Sequence, residues 1–257
     1  MAEEKISSRA RRLTALIIGI TLVAIMTGAL ILHYVEESLV ISSGQSLTLA
    51  AVDIADKLDM QMAERYGDIL MLSRSLVFQG NDQPEKRKRL LALLETYPVY
   101  RWAGVTDEQG RILAATDEAD KGRDMSGEPG FLAVRASQRA VIQDAIRDDE
   151  GVSVITFVSP LNDARGQFIG AVISKVGLPV LEDVVARSVN ALQALWGTGA
   201  RIEYQLLDHD GNVFVDSFLR EEGRVNLKQM GIPSAQLFDT APAGFIEERH
   251  VRRQVEV

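Results

Sequence analysis

Two stretches of the sequence share one pattern of strand and turn residues. Residues 104–122 read GVTDEQGRILAATDEADKG, and residues 205–223 read QLLDHDGNVFVDSFLREEG. Four positions recur 101 residues later, as Asp107 and Asp208, Gly110 and Gly211, Thr116 and Ser217, and Gly122 and Gly223. An apolar strand, an Asp-x-x-Gly turn and a returning strand form the pattern of a β-hairpin. One hairpin alone carries little information, but four positions in constant register indicate a duplicated module rather than two unrelated hairpins.

An uncharged run of 20 residues precedes both copies, from Leu13 to Leu32. At about 1.5 Å of rise per residue, a helix of this length spans the roughly 30 Å hydrocarbon core of a membrane. Residues 1–12 are rich in Lys and Arg, and Glu36 and Glu37 follow the run, so the positive-inside rule predicts a cytoplasmic N-terminus. A cleaved signal peptide would end in small residues, whereas this run ends in Leu-Ile-Leu-His-Tyr. The pattern favours an uncleaved single-pass anchor, with the bulk of the chain outside the cytoplasm.

Charge and composition restrict the classes of partner. The chain carries a formal net charge of −8, and the first twelve residues are net basic, so the excess of acid lies in the exported part. An acidic exported domain does not favour a nucleic-acid partner. The sequence has no cysteine, which excludes disulfides, thiolate metal sites and thiol nucleophiles.

The segment after the anchor has the spacing of long helices. Between Glu36 and Val77, apolar residues recur at helical intervals without a proline, which predicts a helix that continues directly out of the membrane. Gln79-Gly80-Asn81 ends this helix. A second helix is predicted to begin at Asp82, with Pro84 in its first turn, and to run to Thr96 before Tyr97-Pro98.

The pattern then changes to short strands that are rich in β-branched residues. The predicted strands of the first module are Tyr100–Thr106, Ile112–Ala115, Val152–Val158 and Phe168–Lys175. Gly130–Arg147 and Leu178–Leu195 are predicted as helices. The second module is expected to have strands at Ile202–Leu207 and Val213–Asp216 and a last strand reaching Val257. These elements predict an α+β fold with two tandem antiparallel-sheet modules.

The predicted elements divide the chain into six parts. They are a cytoplasmic N-terminus (1–12), a transmembrane helix (13–33), a helical stalk and linker helix (34–99), a membrane-distal module (100–177), a connecting helix (178–200) and a membrane-proximal module (201–257). The offset of 101 places the counterpart of Val152–Val158 at 253–259, beyond Val257. We therefore expect the second module to be incomplete and the chain to stop before an output region.

Several segments resemble the double Cache sensor domain of bacterial transmembrane receptors. They are YRWAGVTDEQGRILAAT and GRDMSGEPGF in the first module, the strand pair VSVITFVSPL and GQFIGAVISK, and YQLLDHDGNVFVDS followed by GRVNL in the second. The resemblance covers residues 34–257 and consists of loose patterns. It implies PAS-like modules that bind small molecules outside the bacterial inner membrane. Such modules pass a helix movement to a kinase, chemotaxis or cyclic-nucleotide output.

One departure from the family concerns amino-acid binding. Members that bind amino acids commonly carry an Arg and a Trp where the chain enters the helix after the first hairpin. In this sequence Glu128 stands near the place of the arginine and Gly130 near that of the aromatic residue. The resemblance therefore does not imply amino-acid recognition by that arrangement.

Most of the polar clusters have simple structural explanations. His33, His209 and His250 lack metal-ligand spacing, and the acidic loop from Asp208 to Asp216 fits a hairpin turn better than an EF-hand. The basic run Lys86–Arg89 fits a solvated helix face. Since no nucleophile–base motif is visible, the sequence predicts neither an enzyme nor a cofactor. A kinase or cyclase could still lie in a further output region.

The candidate ligand-binding residues lie around the first predicted sheet. They are Tyr100, Trp102, Thr116, Phe131, Thr156 and Lys175. In a PAS-like fold these side chains are expected to converge on one concave face, where a mainly apolar pocket holds a few polar groups. Lys175 could neutralise an anionic ligand or could simply mark the exposed end of a strand. Ordinary core packing is the alternative explanation for each of the others.

The leading hypothesis is a membrane-anchored sensor of a small molecule, and two other classes compete with it. A membrane-tethered adaptor could use the same fold to contact an envelope protein without a ligand, and an exported hydrolase is the class that the motifs support least. We also expect a parallel homodimer through Glu36–Leu58, because Leu47, Ala51, Ile54 and Leu58 form an apolar stripe.

Overall fold

The computed structural model describes most of the chain. The described residues are 2–148, 150–197, 201–218, 220, 222–236, 243–247, 249–250 and 255–256, and side chains are described for those that lie within 14–247. The helices are α1 (Ala2–Ser73), α2 (Leu76–Gln79), α3 (Gln83–Thr96), α4 (Pro129–Ser137), α5 (Leu178–Trp196) and α6 (Pro233–Gln236). The strands are β1 (Tyr100–Thr106), β2 (Ile112–Ala115), β3 (Val141–Arg147), β4 (Ser153–Asn162), β5 (Phe168–Gly177), β6 (Gln205–Leu207), β7 (Val213–Asp216), β8 (Arg249–His250) and β9 (Val255–Glu256).

The first helix continues from the apolar run into the stalk without a break. Within the described part of the chain, α1 is the one helix long and apolar enough to cross a membrane. It ends at Ser73, four residues before the predicted end, and the short helix α2 follows. The predicted start of α3 is confirmed, because the Asp82 carboxylate accepts a hydrogen bond from the backbone N–H of Glu85 at 3.0 Å.

Five antiparallel strands form the sheet of the first module, in the order β2-β1-β5-β4-β3. Four of them lie where the sequence predicted strands, but the predicted helix over Gly130–Arg147 is wrong in its second half. The helix α4 ends at Ser137, the following residue Gln138 has a left-handed φ of 55°, and β3 then pairs with β4. Its burial alternates along Val141–Arg147, because one side of this edge strand faces the core while β4 supplies its backbone partners.

The two faces of this sheet have different coverings. The stalk face lies against α1, α3 and the start of α5, where Val105, Phe157 and Val172 pack against Ile69 and Leu90. On the outer face, a second cluster joins sheet residues with Phe131 and Val134 of α4 and with Met125 from the preceding loop. Since successive residues of a strand point to opposite faces, β1, β4 and β5 contribute to both clusters.

The two hairpins of the repeat form the same hydrogen bonds. Gly110 N–H donates to the Asp107 carbonyl at 3.1 Å, and Gly211 N–H donates to the Asp208 carbonyl at 3.0 Å. Both glycines have a positive φ, 90° and 88°, which favours glycine at this turn position. The Thr116 and Ser217 hydroxyls accept from the backbone N–H groups of Ala103 and Tyr204. The sequence repeat therefore corresponds to a repeated local structure.

The second module is smaller in the described part of the chain. Its strands β6 and β7 form the hairpin, and its core contains Val213, Leu227, Ile232 and Ala235. The strands β8 and β9 pair with each other. Most of the last predicted strand lies outside the described residues. Helices and antiparallel sheets occur together as predicted, so the α+β class is confirmed.

Candidate functional site

Four side chains form a row across the outer face of the five-stranded sheet. Trp102 of β1 and Thr156 of β4 are both register partners of Lys175 of β5, and Gln143 of β3 is the partner of Thr156. Directly opposed residues on antiparallel strands point to the same face and lie about 5 Å apart. The register therefore brings together four polar or aromatic groups that are far apart in sequence. We call this set the cross-strand row.

A bulge in β1 separates Tyr100 from this row. The pairing of β1 with β5 shifts between Tyr100 and Trp102, so Tyr100 faces Val176 while Trp102 faces Lys175. The extra residue, Arg101, places the side chains of Tyr100 and Trp102 on opposite faces although they are two positions apart. The expectation that Tyr100 and Trp102 converge on one concave face is therefore wrong for Tyr100, which is buried on the stalk face.

Trp102 is held in place from three sides. Its indole N–H donates to the Asp120 carboxylate at 2.7 Å, and the Lys175 ammonium lies 5.5 Å from its ring centroid. The ring lies over Gly104, where a Cβ atom would overlap it. The absence of a side chain at Gly104 thus makes room for the indole against the sheet.

The other members of the cross-strand row lack polar partners. Thr156 is buried, and its hydroxyl makes no hydrogen bond within the residues described. The Lys175 ammonium forms no ion pair with any described residue, and the Gln143 amide forms no hydrogen bond among them. The amide oxygen of Gln143 lies against Gly130 in the first turn of α4, where a Cβ atom on residue 130 would clash with it. Lys175 and Gln143 are half-buried, whereas Thr156 is fully buried, and a buried polar group without a partner costs about 1–3 kcal/mol.

A cavity of about 680 Å³ opens at the Trp102 and Lys175 end of the row. Its apolar wall includes Ile112 and Met125, and its rim carries charged residues. Arginines pair with acids there at 3.1 Å (Arg101 and Asp148), 2.6 Å (Arg87 and Glu118) and 3.3 Å (Arg123 and Asp120). Arg101 also contacts Glu150. Lys175 is therefore the one cation of the cavity lining without an acidic partner among the described residues.

The remaining predicted site residues have structural contacts. Thr116 lines the cavity, but its hydroxyl is used to accept the backbone N–H of Ala103 at 3.2 Å within the hairpin. Phe131 is fully buried and packs edge-to-face on Phe168, with ring centroids 5.9 Å apart. Phe131 therefore packs in the apolar cluster between α4 and the sheet and does not line the cavity.

Sequence reasoning missed Gln143 and Asp120. Gln143 was assigned to a helix, although the branched residues Val141, Ile142 and Ile146 in its segment are typical of a strand. Asp120 follows the second strand in a short 3₁₀ helix, Glu118–Asp120, and no spacing in the sequence connects it with Trp102.

On the stalk face, Tyr100 connects the sheet to α1. Its hydroxyl donates to the Asp68 carboxylate at 2.6 Å, and burial together with this hydrogen bond raises the pKa of Tyr100 above its ordinary value. The Arg65 guanidinium lies 5.4 Å from the Tyr97 ring and 5.5 Å from the Tyr100 ring, and it also contacts Asp68 at 3.3 Å. The strand that carries Trp102 is thus joined to the stalk helix two residues earlier.

Solved structures with the same fold are extracellular sensor domains. An extracellular ligand-binding receptor from Desulfohalobium retbaense DSM5692 has a TM-score of 0.63 and 19% identity, with 79% of this chain and 35% of that chain covered. The ligand-binding domain of the Pseudomonas aeruginosa PAO1 amino-acid chemoreceptor PctC, in complex with GABA, has a TM-score of 0.60 and 13% identity, with coverages of 80% and 88%. The ligand-binding domain of the Pseudomonas fluorescens chemoreceptor CtaA, in complex with L-serine, has a TM-score of 0.50 and 19% identity, with coverages of 69% and 73%.

These likenesses concern the fold, because the identities are below one in five. The chain spans about a third of the length of the Desulfohalobium receptor. No protein-family model matches the sequence, and no curated protein matches it significantly. The five-stranded antiparallel sheet and the repeated hairpin nevertheless belong to a fold that this chain shares with ligand-binding domains of chemoreceptors and with the extracellular domain of a putative histidine kinase, as the resemblance to Cache sensor domains implies.

Proposed function

We propose that this protein is a membrane-anchored sensor that binds a small molecule outside the cytoplasm. The binding site is the outer face of the first module, at the cavity beside the cross-strand row. The observation that carries the proposal is Lys175, which lines a cavity of about 680 Å³ and has no acidic partner within the described residues. Convergent polar groups on an apolar concave wall are typical of small-molecule sites. The proposed role is non-enzymatic, as in the ligand-binding domains that share the fold.

A displacement of β1 provides the proposed route from the site to the membrane. Trp102 lies in the proposed ligand site, and the hydroxyl of Tyr100 on the same strand donates a hydrogen bond to Asp68 of α1. Because α1 is one continuous helix, a shift or rotation of its upper part would be carried to its membrane-spanning part. A ligand that binds one position of β1 more tightly would thereby favour one of two positions of the helix.

The membrane topology follows from the same helix. We propose that residues 13–33 cross the inner membrane once, that residues 1–12 remain in the cytoplasm and that both modules lie outside. An alkaline phosphatase fused after Val257 is then active, while a fluorescent protein that folds only in the cytoplasm is dark at the same position. The reverse pair of results would contradict this topology.

We further propose a parallel homodimer along an exposed stripe of α1. One residue of the stripe that the sequence predicts, Leu58, packs against the core of the first module and is not available to a second copy. Leu49, Met60 and Met71 are 71%, 58% and 73% exposed and lie 11 residues apart, which keeps them on one side of a helix. Ile41, which is also exposed, extends the stripe toward the apolar run, and the exposed Val52 lies beside it between Leu49 and Met60. Apolar side chains in this arrangement suit contact with a second copy of the same helix.

Single cysteines test this dimer, since the chain has none of its own. Leu49→Cys and Met60→Cys in membranes are expected to form disulfide-linked dimers on mild oxidation. Asp59→Cys is the matched control, because Asp59 is exposed next to Met60 but points about 100° away around the helix. Equal cross-linking at Asp59 and Met60 would contradict the stripe as a dimer contact.

The sensor proposal is tested with the full chain in neutral lipid nanodiscs. Thermal unfolding is followed with a panel of organic acids, amines, amino acids and sugars, and hits are titrated by calorimetry. A ligand that binds the folded state raises its stability by about 2.7 kcal/mol at one hundred times its Kd. Trp102→Ala should abolish the response, and Trp196→Ala, at the end of α5, should preserve it. The unfolding temperature of each variant without ligand shows whether it still folds, since truncating a buried Trp costs up to about 5 kcal/mol.

The competing proposal is a membrane-tethered adaptor without a ligand. Its supporting observation is the same exposed stripe of α1, which could contact another envelope protein. If no compound of any class stabilises the chain, the sensor proposal fails and the adaptor remains.

A further inference from the structure

The donors and acceptors around the outer-face cavity are unequally satisfied. Each acidic side chain buried or half-buried in its lining already has a partner, since Asp120 accepts from the Trp102 indole and Asp148 pairs with Arg101. The exposed rim acids Glu118 and Glu150 contact arginines, and Asp117 caps the 3₁₀ helix through the Ala119 N–H. In the cross-strand row, the Lys175 ammonium, the Thr156 hydroxyl and the Gln143 amide lack a hydrogen-bond or ion-pair partner among the described residues. Of these three residues, Lys175 lines the cavity, while the Thr156 hydroxyl is closed off from solvent.

All three of these unpaired groups can donate a hydrogen bond. Lys175 and Thr156 are direct register partners, and Gln143 is the next position along the same row. Within the cavity lining, Lys175 supplies the one positive charge that has no acidic partner among the described residues. A ligand with negative charge satisfies this group, whereas an ammonium group would meet Lys175 with like charge and would find each half-buried carboxylate of the lining already paired.

We propose that the outer-face site takes a small carboxylate, with the carboxylate on Lys175 and the rest of the molecule against Trp102, Ile112 and Met125. This inference rests on the proposed sensor function and names its ligand class. Charge-assisted hydrogen bonds are the stronger ones, so Lys175 supplies most of the anchoring. The apolar wall beside Trp102 accepts a short chain or a ring, and an α-amino group on the ligand weakens binding because Lys175 repels it.

Matched probes separate the charge of the ligand from its shape. The full chain in neutral nanodiscs is titrated with benzoate against benzamide and with propionate against propionamide, at constant ionic strength. L-Alanine, which is propionate with an added ammonium group, is the third comparison. The two carboxylates are expected to raise the unfolding temperature and to bind measurably. The two amides and L-alanine are expected to bind at least about tenfold more weakly, because they lose or oppose the charge-assisted contact.

Variants assign the effect to the proposed contacts. Lys175→Met should raise the Kd of benzoate at least about tenfold, because the charge-assisted contact to the carboxylate is lost. Lys88→Met is the matched control, since Lys88 is an exposed lysine of α3 outside this cavity and its substitution changes the net charge equally. Each variant must keep the unfolding temperature of a folded chain without ligand.

The possible outcomes distinguish this inference from the sensor function. Equal binding of benzoate and benzamide, or an unchanged benzoate Kd in Lys175→Met, overturns the carboxylate assignment and leaves the sensor intact. If an amine or a sugar binds, Trp102→Ala abolishes that binding and no carboxylate binds, the carboxylate assignment is likewise overturned and the sensor proposal stays intact. If no compound of any class binds, the sensor proposal fails and this inference fails with it.

Discussion

The two faces of the five-stranded sheet treat polar side chains in different ways. On the stalk face, Tyr100 donates to Asp68 and Ser159 donates to Ser73, so two polar groups of the sheet are bonded to α1. On the outer face, Lys175, Thr156 and Gln143 lie side by side without a partner in the described part of the chain. Ser174 is the exception on the stalk face, because its buried hydroxyl also lacks a partner there.

The difference agrees with the proposed sensor function, in which one face is bonded to α1 and the other face receives a ligand. Hydrogen bonds from the sheet to α1 stabilise the fold and join the sheet to the long helix. The buried Thr156 hydroxyl without a partner lowers the stability of the chain. Functional sites commonly carry such a local loss of stability.

The largest expected effect comes from the core of the stalk face. Phe157→Ala removes a fully buried ring and is expected to lower the free energy of unfolding by about 3–5 kcal/mol, because a cavity is left behind. The measurement is urea unfolding of the full chain in detergent, followed by Trp fluorescence. Leu132→Ala, on the half-exposed side of α4, is the control and should cost less than about 1 kcal/mol. Similar costs for the two variants would contradict the assignment of the main core to the stalk face.

The next effect tests the bond between the sheet and α1. Tyr100→Phe should lower stability by about 1–3 kcal/mol at neutral pH, because Asp68 loses a hydrogen bond to its carboxylate. Tyr97→Phe is the control, since Tyr97 is partly exposed and its hydroxyl is not bonded within the described residues.

The same variant has a predicted pH dependence. Burial and Asp68 raise the pKa of Tyr100 in the folded chain. The stabilisation of the folded state by the protonated Tyr100 is therefore complete below the pKa of the unfolded chain, which is about 10, and is lost as the pH rises above that value. The difference in unfolding temperature between the wild type and Tyr100→Phe should therefore shrink above pH ~10. A constant difference across that range would show that Tyr100 ionises equally in both states.

A matched pair of hydroxyl deletions should give effects of opposite sign on the two faces. Ser159→Ala breaks the 3.0 Å bond to Ser73 on the stalk face and is expected to cost about 1 kcal/mol. Thr156→Val replaces an unpaired buried hydroxyl on the outer face with a methyl group of similar shape, so the ligand-free chain should keep or gain stability. Thermal unfolding measures both, and a clear loss in Thr156→Val would mean that its hydroxyl has a partner in solution.

The smallest effect concerns the ion pair at the cavity rim. Burial tends to raise the pKa of Asp148, but hydrogen bonds from the Val152 N–H and from Arg101 outweigh it, and the pKa is lowered. Arg101→Gln should therefore cost less than about 1 kcal/mol at pH 7, since the arginine is partly exposed. This stabilisation is present above the unfolded pKa of about 3.9 and is lost as the pH falls below it, so the two proteins should converge in acid.

Helix limits and hairpins could be predicted because their signals are local. Asp82 and Pro84 mark the start of α3, and the Asp-x-x-Gly turns mark both hairpins, since these residues satisfy backbone groups within a few positions. The strand β3 was missed because its backbone partners are supplied by β4, and nothing within Val141–Arg147 alone excludes a helix. For the same reason Gln143 was not among the predicted site residues.

Sequence alone determined the apolar run of the first helix, the helical stalk, the duplicated hairpins and the acidic composition of the part that follows the run, because each depends on spacing or composition within a segment. Tertiary structure decided which of these side chains meet. The register of β1, β5, β4 and β3 set Trp102, Lys175, Thr156 and Gln143 in one row, and the bulge at Arg101 turned Tyr100 to the opposite face. Strand register and bulges arise from hydrogen bonds between segments far apart in the chain, so no pattern within one segment specifies them.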